Sequence, residues 1–296
     1  MKKTLLVGSS GYVGARVFNT LNYSSTTEVS TLNRTGGNNP FAFVLNSQGQ
    51  TIEGDIRNES FLSGVHDSDV VLSMAADVSK RQNPMDTANL VMANALLPAL
   101  LGSHFSGSKT RIVHIGTYSH RSDLQEYDPQ TFYAATKIAG ERFLDYFAQD
   151  SLVTTTMLHT FDIYGPRQPH LRLIPMIIDK LKAGAVINLT EGDQEIRPVF
   201  VDDLVRNLVW IASQNNLAER GSEAYDVFGP ETFLVKELPQ YIANCLDLNI
   251  TDEQVSRITP YSGKEIMKFN PCHGLAPGND RWTSLADGLN QMKETL

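Results

Sequence analysis

The segment that most constrains this chain is Gly8-Ser9-Ser10-Gly11-Tyr12-Val13-Gly14, which comes directly after the apolar run Thr4–Val7 and leads straight into a helical pattern. That context predicts a strand–turn–helix unit, with glycines where the backbone must turn tightly and N–H groups free at the helix start. An anion fits such an end, and a pyrophosphate fits it best, because the missing side chains let a ligand approach the main chain closely. Gly8, Ser10, Gly11, Tyr12, Val13 and Gly14 are therefore candidate ligand-binding residues.

The rest of the first half repeats this grammar. Short runs rich in Val, Ile and Leu, at Thr4–Val7, Glu28–Leu32, Val70–Met74, Ile112–Ile115 and Thr154–Leu158, alternate with helical patterns at Ala88–His104 and Phe132–Gln149. Strands alternating with helices specify βαβ units and a parallel sheet. The first of these helices is apolar nearly all round, as expected of one buried on several sides. After Pro166 the elements shorten: helices at Leu173–Ala183, Asp202–Ser213 and Val235–Cys245 and a strand at Val186–Leu189 read as a smaller lobe that returns to the sheet. The expected organisation is a dinucleotide-binding domain over 1–165 and a substrate lobe over 166–296, with loops at Thr35–Asn39 and Asn270–Asn279.

Composition narrows the ligand. With 296 residues the chain can bury a full core without staples. Its two cysteines, Cys245 and Cys272, show neither disulfide nor metal-site spacing, so reduced thiols, no metal and a cytoplasmic setting are expected. A net charge of −8 argues against a nucleic-acid surface, and no stretch is read as membrane-spanning.

Tyr133 and Lys137 stand four apart on a predicted helix and so share a face. A tyrosine, with a reference pKa of about 10, serves acid–base chemistry near neutrality only beside a cation such as Lys137. Sixteen residues before Tyr133, the strand Arg111–Ile115 runs on to Gly116-Thr117-Tyr118-Ser119 and ends in hydroxyls, where parallel sheets keep their sites. Thr117 is the candidate hydroxyl for the reacting oxygen, with Ser119 the choice if the register differs by two.

Together these motifs resemble the extended short-chain dehydrogenase/reductase family, of the NDP-sugar-modifying epimerase/dehydratase type, over roughly residues 3–245. The resemblance implies a doubly wound α/β Rossmann fold with a smaller C-terminal substrate-binding lobe, and an enzyme that binds NADP or NAD. About nineteen residues beyond Gly14, where a carboxylate would bind the ribose hydroxyls of NAD, stand Asn33 and Arg34, a pair that suits a 2′-phosphate and so NADP, unless Arg34 is simply solvated. Gly54-Asp55-Ile56-Arg57 resembles the segment whose Asp55 and Ile56 would meet the adenine. Met74, Ala75 and Ala76 resemble the strand end that passes over the dinucleotide, and Asn94 the helix asparagine that holds the site's geometry. Phe161–Arg167 and Arg197–Asp203 resemble the sugar-nucleotide motifs and make Asp162 and Arg197 substrate candidates. Asp162 replaces a usual asparagine, and His159 stands where arginine is common.

Tyr118 and Ser119 occupy the positions where dehydratases of this kind carry an Asp-Glu pair, so dehydration is not expected. The reading favoured is NADPH-dependent reduction of a nucleotide-linked 4-keto-6-deoxy sugar. An NDP-sugar C4 epimerase with tightly bound NAD is the alternative, and a non-catalytic dinucleotide sensor a third. A homodimer through Ala88–His104 and Phe132–Gln149 is also expected.

Overall fold

The computed structural model describes residues 1–36, 39–78, 83–120, 128–129, 131–169, 172–214, 221–257, 268, 271, 273–276 and 281–294. Cys272 and half of the 270–279 stretch lie outside them. Eight strands form the main sheet: β1 (Lys2–Val7), β2 (Thr27–Arg34), β3 (Ala42–Ser47), β4 (Gln50–Asp55), β5 (Val70–Ser73), β6 (Arg111–Thr117), β7 (Thr154–Thr160) and β8 (Gly221–Val227). Their spatial order is β8-β7-β6-β5-β1-β2-β3-β4. Every pair from β8 across to β2 is parallel.

Side chains alternate between two cores, as the two-residue strand period requires. From β1, Leu5 and Val7 enter one cluster with Leu97, Leu101, Phe105 and Leu144, while Leu6 enters the other with Val17, Leu21, Leu204 and Leu208. The first face is covered by α2 (Pro84–Phe105) and α3 (Phe132–Asp150), the second by α1 (Tyr12–Asn22) and α5 (Val201–Ser213). A sheet packed with helices on both faces is the doubly wound Rossmann arrangement. A third core gathers Tyr164, Phe200, α4 (Leu173–Lys182), α6 (Leu238–Leu246) and α7 (Leu285–Lys293). α5 and β8 belong to the sheet side of the molecule, so the chain leaves the lobe and comes back.

Two expectations change. The sheet is not parallel throughout: β3 pairs antiparallel with β2 and β4 antiparallel with β3. The hairpin between them turns on Gln48 (φ 51°) and Gly49 (φ 75°), and positive φ at both central residues is what a tight hairpin matching the strand twist demands. In addition, α2 runs 22 residues and, contrary to expectation, is long and apolar enough, by length and composition, to cross a membrane; half of its most apolar stretch is buried inside the molecule. Its middle, Met92–Leu96, is a π-helical turn.

Candidate active site

The order of strands reverses at β1: β2 lies to one side and β5 to the other. Ligands bind where two neighbouring parallel strands send their chains to opposite sides, because the loops diverge and leave a crevice at their carboxyl ends. Here a cleft of about 1170 Å³ opens at that point. Its wall is built from the turn after β1 (Gly8, Ser10–Gly14), the end of β2 (Asn33, Arg34), the loop after β5 (Met74–Val78), the end of β6 (Ile115–Thr117) and the segment after β7 (Phe161–Ile163).

The glycine turn is shaped as a cradle. Gly8 has φ +87°, and a Cβ there would lie 2.7 Å from the backbone nitrogen of Ala75 and 2.8 Å from its Cα. A Cβ on Gly14 would overlap the carbonyl oxygen of Gly8. The N-cap of α1 is Gly11, which offers no side-chain acceptor to the first turn, so those N–H groups face the cleft unclaimed by a cap. Asn33 braces the turn from β2: its Oδ1 accepts from the Ser10 N–H (3.0 Å) and its Nδ2 donates to Ser9 Oγ (2.9 Å). The bare helix end and the clearance left by the glycines fit a dinucleotide pyrophosphate. Arg34 is exposed beside it, with Nη1 3.4 Å from Asn89 Oδ1.

Tyr133 and Lys137 project from the first turns of α3, whose N-cap Thr131 accepts the Ala134 N–H through its side chain (3.1 Å). Both line the cleft with Thr117 and Ser119. Lys137 is fully buried and donates to the Ile115 carbonyl at 2.6 Å; burial draws its pKa down to about 8, against a raising pull from Glu141. Burial pushes the Tyr133 phenol up to about 12, partly offset by Arg172. Tyr133 is therefore a protonated phenol at neutral pH, a proton donor at rest. The Ser119 N–H donates to Thr117 Oγ1 (3.2 Å), tying the two hydroxyl candidates into one turn.

Asn94 does not line the cleft. Buried in the π turn of α2, it grips the backbone of Asp77 with both amide atoms, at 3.0 and 2.9 Å, and donates to Thr136 Oγ1 (3.1 Å), so it fastens the turn after Ala76 to α3. A π turn of this kind often sits at functional sites.

Three sequence candidates lie elsewhere. Asp55 is engaged by Arg57, whose Nε donates to it at 2.9 Å and whose hydrogen bonds hold the carboxyl down to about 2; it is not part of the cleft wall. Ile56 is a core residue, 3% exposed, with its N–H given to Phe41. The wall at that end is made instead by Pro40 and Phe43. Arg197 packs over the Phe228 ring at 4.1 Å and donates to the Pro230 carbonyl at 3.0 Å, so it braces a loop rather than entering the cleft.

Besides Arg34 and Lys137, Arg172 lines the cleft among the described residues; it stands at the N-cap of α4 with no motif to announce it. It faces Asp162, whose carboxyl is raised by burial and pulled back by Arg172. Gln168 completes that end of the cleft, its Nε2 given to the Ile163 carbonyl (3.0 Å).

Residues 4–228 match the model of the NAD dependent epimerase/dehydratase family. The chain belongs to that family. It is 24% identical over 188 residues to a CDP-abequose synthase of Yersinia pseudotuberculosis, a match spanning 62% of this chain and 64% of that protein. It is 23% identical to a UDP-glucose 4-epimerase of Mycolicibacterium smegmatis, over 93% of this chain and 96% of that one. Among solved structures, the UDP-glucuronic acid 4-epimerase of Bacillus cereus, in complex with UDP-glucuronic acid and NAD, superposes with a TM-score of 0.77 at 20% identity, over 99% of this chain and 98% of that one. The extended short-chain assignment and the Rossmann architecture thus hold for this chain.

Proposed function

We propose that this family member is an NADPH-dependent reductase of a nucleotide-linked 4-keto-6-deoxy sugar. The observation that carries the reading is the convergence of Tyr133, Lys137 and Thr117 in one cleft that runs from the glycine cradle to the Asp162–Arg172 pair. A bound reduced nicotinamide supplies hydride to the keto carbon. Tyr133 gives its phenolic proton to the keto oxygen as that oxygen gains charge, a task matched to a phenol that burial keeps protonated. Thr117 stabilises the same oxygen by a hydrogen bond, and the Lys137 ammonium steadies the phenolate left behind. Arg172 offers the substrate a cation in a chain of net charge −8, and Asp162 an acceptor for a sugar hydroxyl.

NADP is preferred to NAD because the end of β2 carries neutral Asn33 and cationic Arg34 at the cleft, where a carboxylate would otherwise meet the ribose. The 4-epimerase names among its relatives support the second reading, in which NAD stays bound and the sugar is reoxidised from the other face. Denaturing the purified protein and identifying any released dinucleotide separates the two. Stoichiometric NAD means epimerase, whereas an empty protein that binds NADPH more tightly than NADH and oxidises it with a 4-keto sugar nucleotide means reductase. We also propose a homodimer through α2 and α3, where Met85, Val91, Phe143 and Tyr146 are 50%, 40%, 45% and 61% exposed. Light scattering at micromolar concentration should give twice the chain mass, and a monomer refutes it.

A further inference from the structure

The glycine cradle and the substrate end of the cleft meet at one carbonyl oxygen that the proposed reaction leaves unused. Pro166 follows the short strand Ile163–Tyr164 and stands two residues before Gln168 on the cleft wall. Its oxygen accepts from the Tyr12 hydroxyl at 3.2 Å and from Arg16 Nη2 at 2.6 Å, so both of its lone pairs are engaged. The two donors lie one turn apart at the start of α1, and Tyr12 directly follows the N-cap Gly11. Arg16 is itself held for this task. Its Nη1 donates to the Tyr12 carbonyl at 3.2 Å, its guanidinium carbon stands 4.2 Å from the centre of the Tyr12 ring, and its Nε lies 3.5 Å from Asp202 Oδ1. Burial pushes the Tyr12 phenol up to about 12, partly offset by Arg16, so its hydroxyl stays protonated and donates throughout the neutral range.

The peptide gripped in this way is the one that needs holding. The Pro166 carbonyl belongs to the peptide bond into Arg167, and Arg167 has φ +58°, in the left-handed region that a residue with a Cβ disfavours. Arg167 is exposed, so burial of its own side chain does not offset that angle. Just before it, Gly165 stands at φ +155°, and the space of a Cβ there is closed by Val201 Cγ1 at 2.6 Å and by the Tyr12 hydroxyl at 2.9 Å. Turning the Pro166–Arg167 peptide to give Arg167 an ordinary φ would swing the carbonyl away from both donors. The left-handed step brings the chain back, so that Gln168 Nε2 reaches the Ile163 carbonyl at 3.0 Å and Gln168 lines the cleft with Phe161, Asp162 and Ile163. An unfavourable backbone angle persists where surrounding contacts over-determine it, and here those contacts come from the cofactor helix.

We propose that Arg16 is a positioning residue which, with the Tyr12 hydroxyl, latches the Pro166–Arg167 peptide to the start of α1, so that a dinucleotide seated on the glycine turn orders the 165–168 turn at the substrate end. A pyrophosphate taken up by the first-turn N–H groups fixes Tyr12 and, through the Tyr12 carbonyl, Arg16. The sugar nucleotide then meets a wall already ordered, and the dinucleotide binds the latched protein more tightly by the same factor, because coupling between two sites is reciprocal. The proposal rests on reading the glycine turn as a dinucleotide cradle, and not on which dinucleotide or which sugar is bound.

The test is amide hydrogen exchange of the peptide 163–169 in the full chain, alone and saturated with whichever of NADPH and NADH binds more tightly in a fluorescence titration. Saturation should slow exchange in that peptide by at least about fivefold in the wild type, the lower end of typical coupling between sites. Arg16→Met should exchange faster than wild type without ligand, lose the slowing, and bind the dinucleotide more weakly by no more than the factor lost. Tyr12→Phe, which deletes one donor and keeps the ring, should lose part of the slowing, and it decides the question if Arg16→Met does not fold. Asp202→Asn alters the ion pair of Arg16 but not its bond to Pro166 and should keep the slowing, which separates the latch from general loosening between α1 and α5. Arg167→Gly added to Arg16→Met removes the cost of the left-handed angle and should restore part of the slow exchange. Slowing that survives both Arg16→Met and Tyr12→Phe, slowing that Asp202→Asn abolishes as fully, or no restoration by Arg167→Gly would overturn the latch. Dinucleotide binding without slowing in the wild type overturns the latch alone, whereas binding of neither dinucleotide overturns the cradle reading beneath it.

Discussion

Alanine at Gly14 should cost far more than alanine at Gly11, three residues earlier in the same turn, and the pair measures how tightly the dinucleotide cradle is built. A methyl on Gly14 would overlap the Gly8 carbonyl oxygen and come within 2.9 Å of the Gly8 carbonyl carbon and of Ser9 Cα. All three are main-chain atoms, so none can rotate aside, and the start of α1 must back away from β1. At Gly11 the added methyl meets only the Gly8 oxygen at 3.3 Å, and its φ of −78° suits any residue. Overpacking against rigid neighbours costs about 1–3 kcal/mol, or roughly 2–4 °C in Tm for each kcal/mol in a chain of this size. The same retreat carries the free N–H groups of the first turn away from the pyrophosphate. Losing one such bond to a charged group, at about 1.5–3 kcal/mol, weakens binding about tenfold to a hundredfold. Titration of NADPH fluorescence, with a thermal melt of each unliganded protein, should show that loss for Gly14→Ala and a change under about threefold for Gly11→Ala. Wild-type affinity in Gly14→Ala, or equal losses in both variants, would refute the reasoning.

Three more outcomes are expected of the site. Burial lowers Lys137 to about 8 from its reference value of 10.5, so between those values the unfolded chain binds more protons than the folded one and stability rises with pH. The burial cost is fully present below pH 8, and Lys137→Met should therefore gain more Tm relative to wild type at pH 7 than at pH 10; a gain independent of pH would count against a buried, titrating ammonium. Arg172→Met should raise KM for the sugar nucleotide by about tenfold or more, from the loss of a charge-assisted bond, while the Kd for NADPH stays within about twofold. Asn33→Asp keeps an acceptor for the Ser10 N–H and places a carboxylate at the ribose, so the ratio of NADPH to NADH affinity should fall about tenfold or more in parallel fluorescence titrations.

The sheet was legible where strands are buried on both faces. Thr4–Val7, Val70–Ser73 and Ile112–Ile115 lie on β1, β5 and β6, where a doubly covered strand reads as a largely apolar run, and Thr154–Leu158 lies on β7, whose β-branched threonines are buried as fully as its Met157 and Leu158. The β3–β4 hairpin was missed because its turn uses Gln48-Gly49 rather than the Asn-Gly or Asp-Gly that marks such turns, and β4 exposes most of its residues. The edge strand β8, Gly-Ser-Glu-Ala-Tyr-Asp-Val, hides its character behind Asp226, whose burial makes sense only once His159 is placed against it. In α2, Leu90 before the π turn at Met92–Leu96 and Leu97, Leu101 and Phe105 after it are all buried, together with Met92, Asn94 and Ala95 within it. Within the site, glycines and the Tyr133–Lys137 spacing show in one dimension because they depend on local geometry. Arg172 and Gln168 reach the cleft only through the packing of the lobe, and no local pattern encodes that.

The contact between Gly8 and Ala75 makes two distant stretches of sequence into a single heritable unit. Because the space a side chain at position 8 would need is already filled by the backbone and methyl of Ala75, with the methyl 3.0 Å from where that Cβ would stand, neither position can drift in size alone. Two of the three atoms in the way are main chain of residue 75 and Gly8 has φ +87°, so no change at 75 opens room at 8, and a variant library randomised at both positions should return survivors that all keep Gly8 beside a small residue at 75.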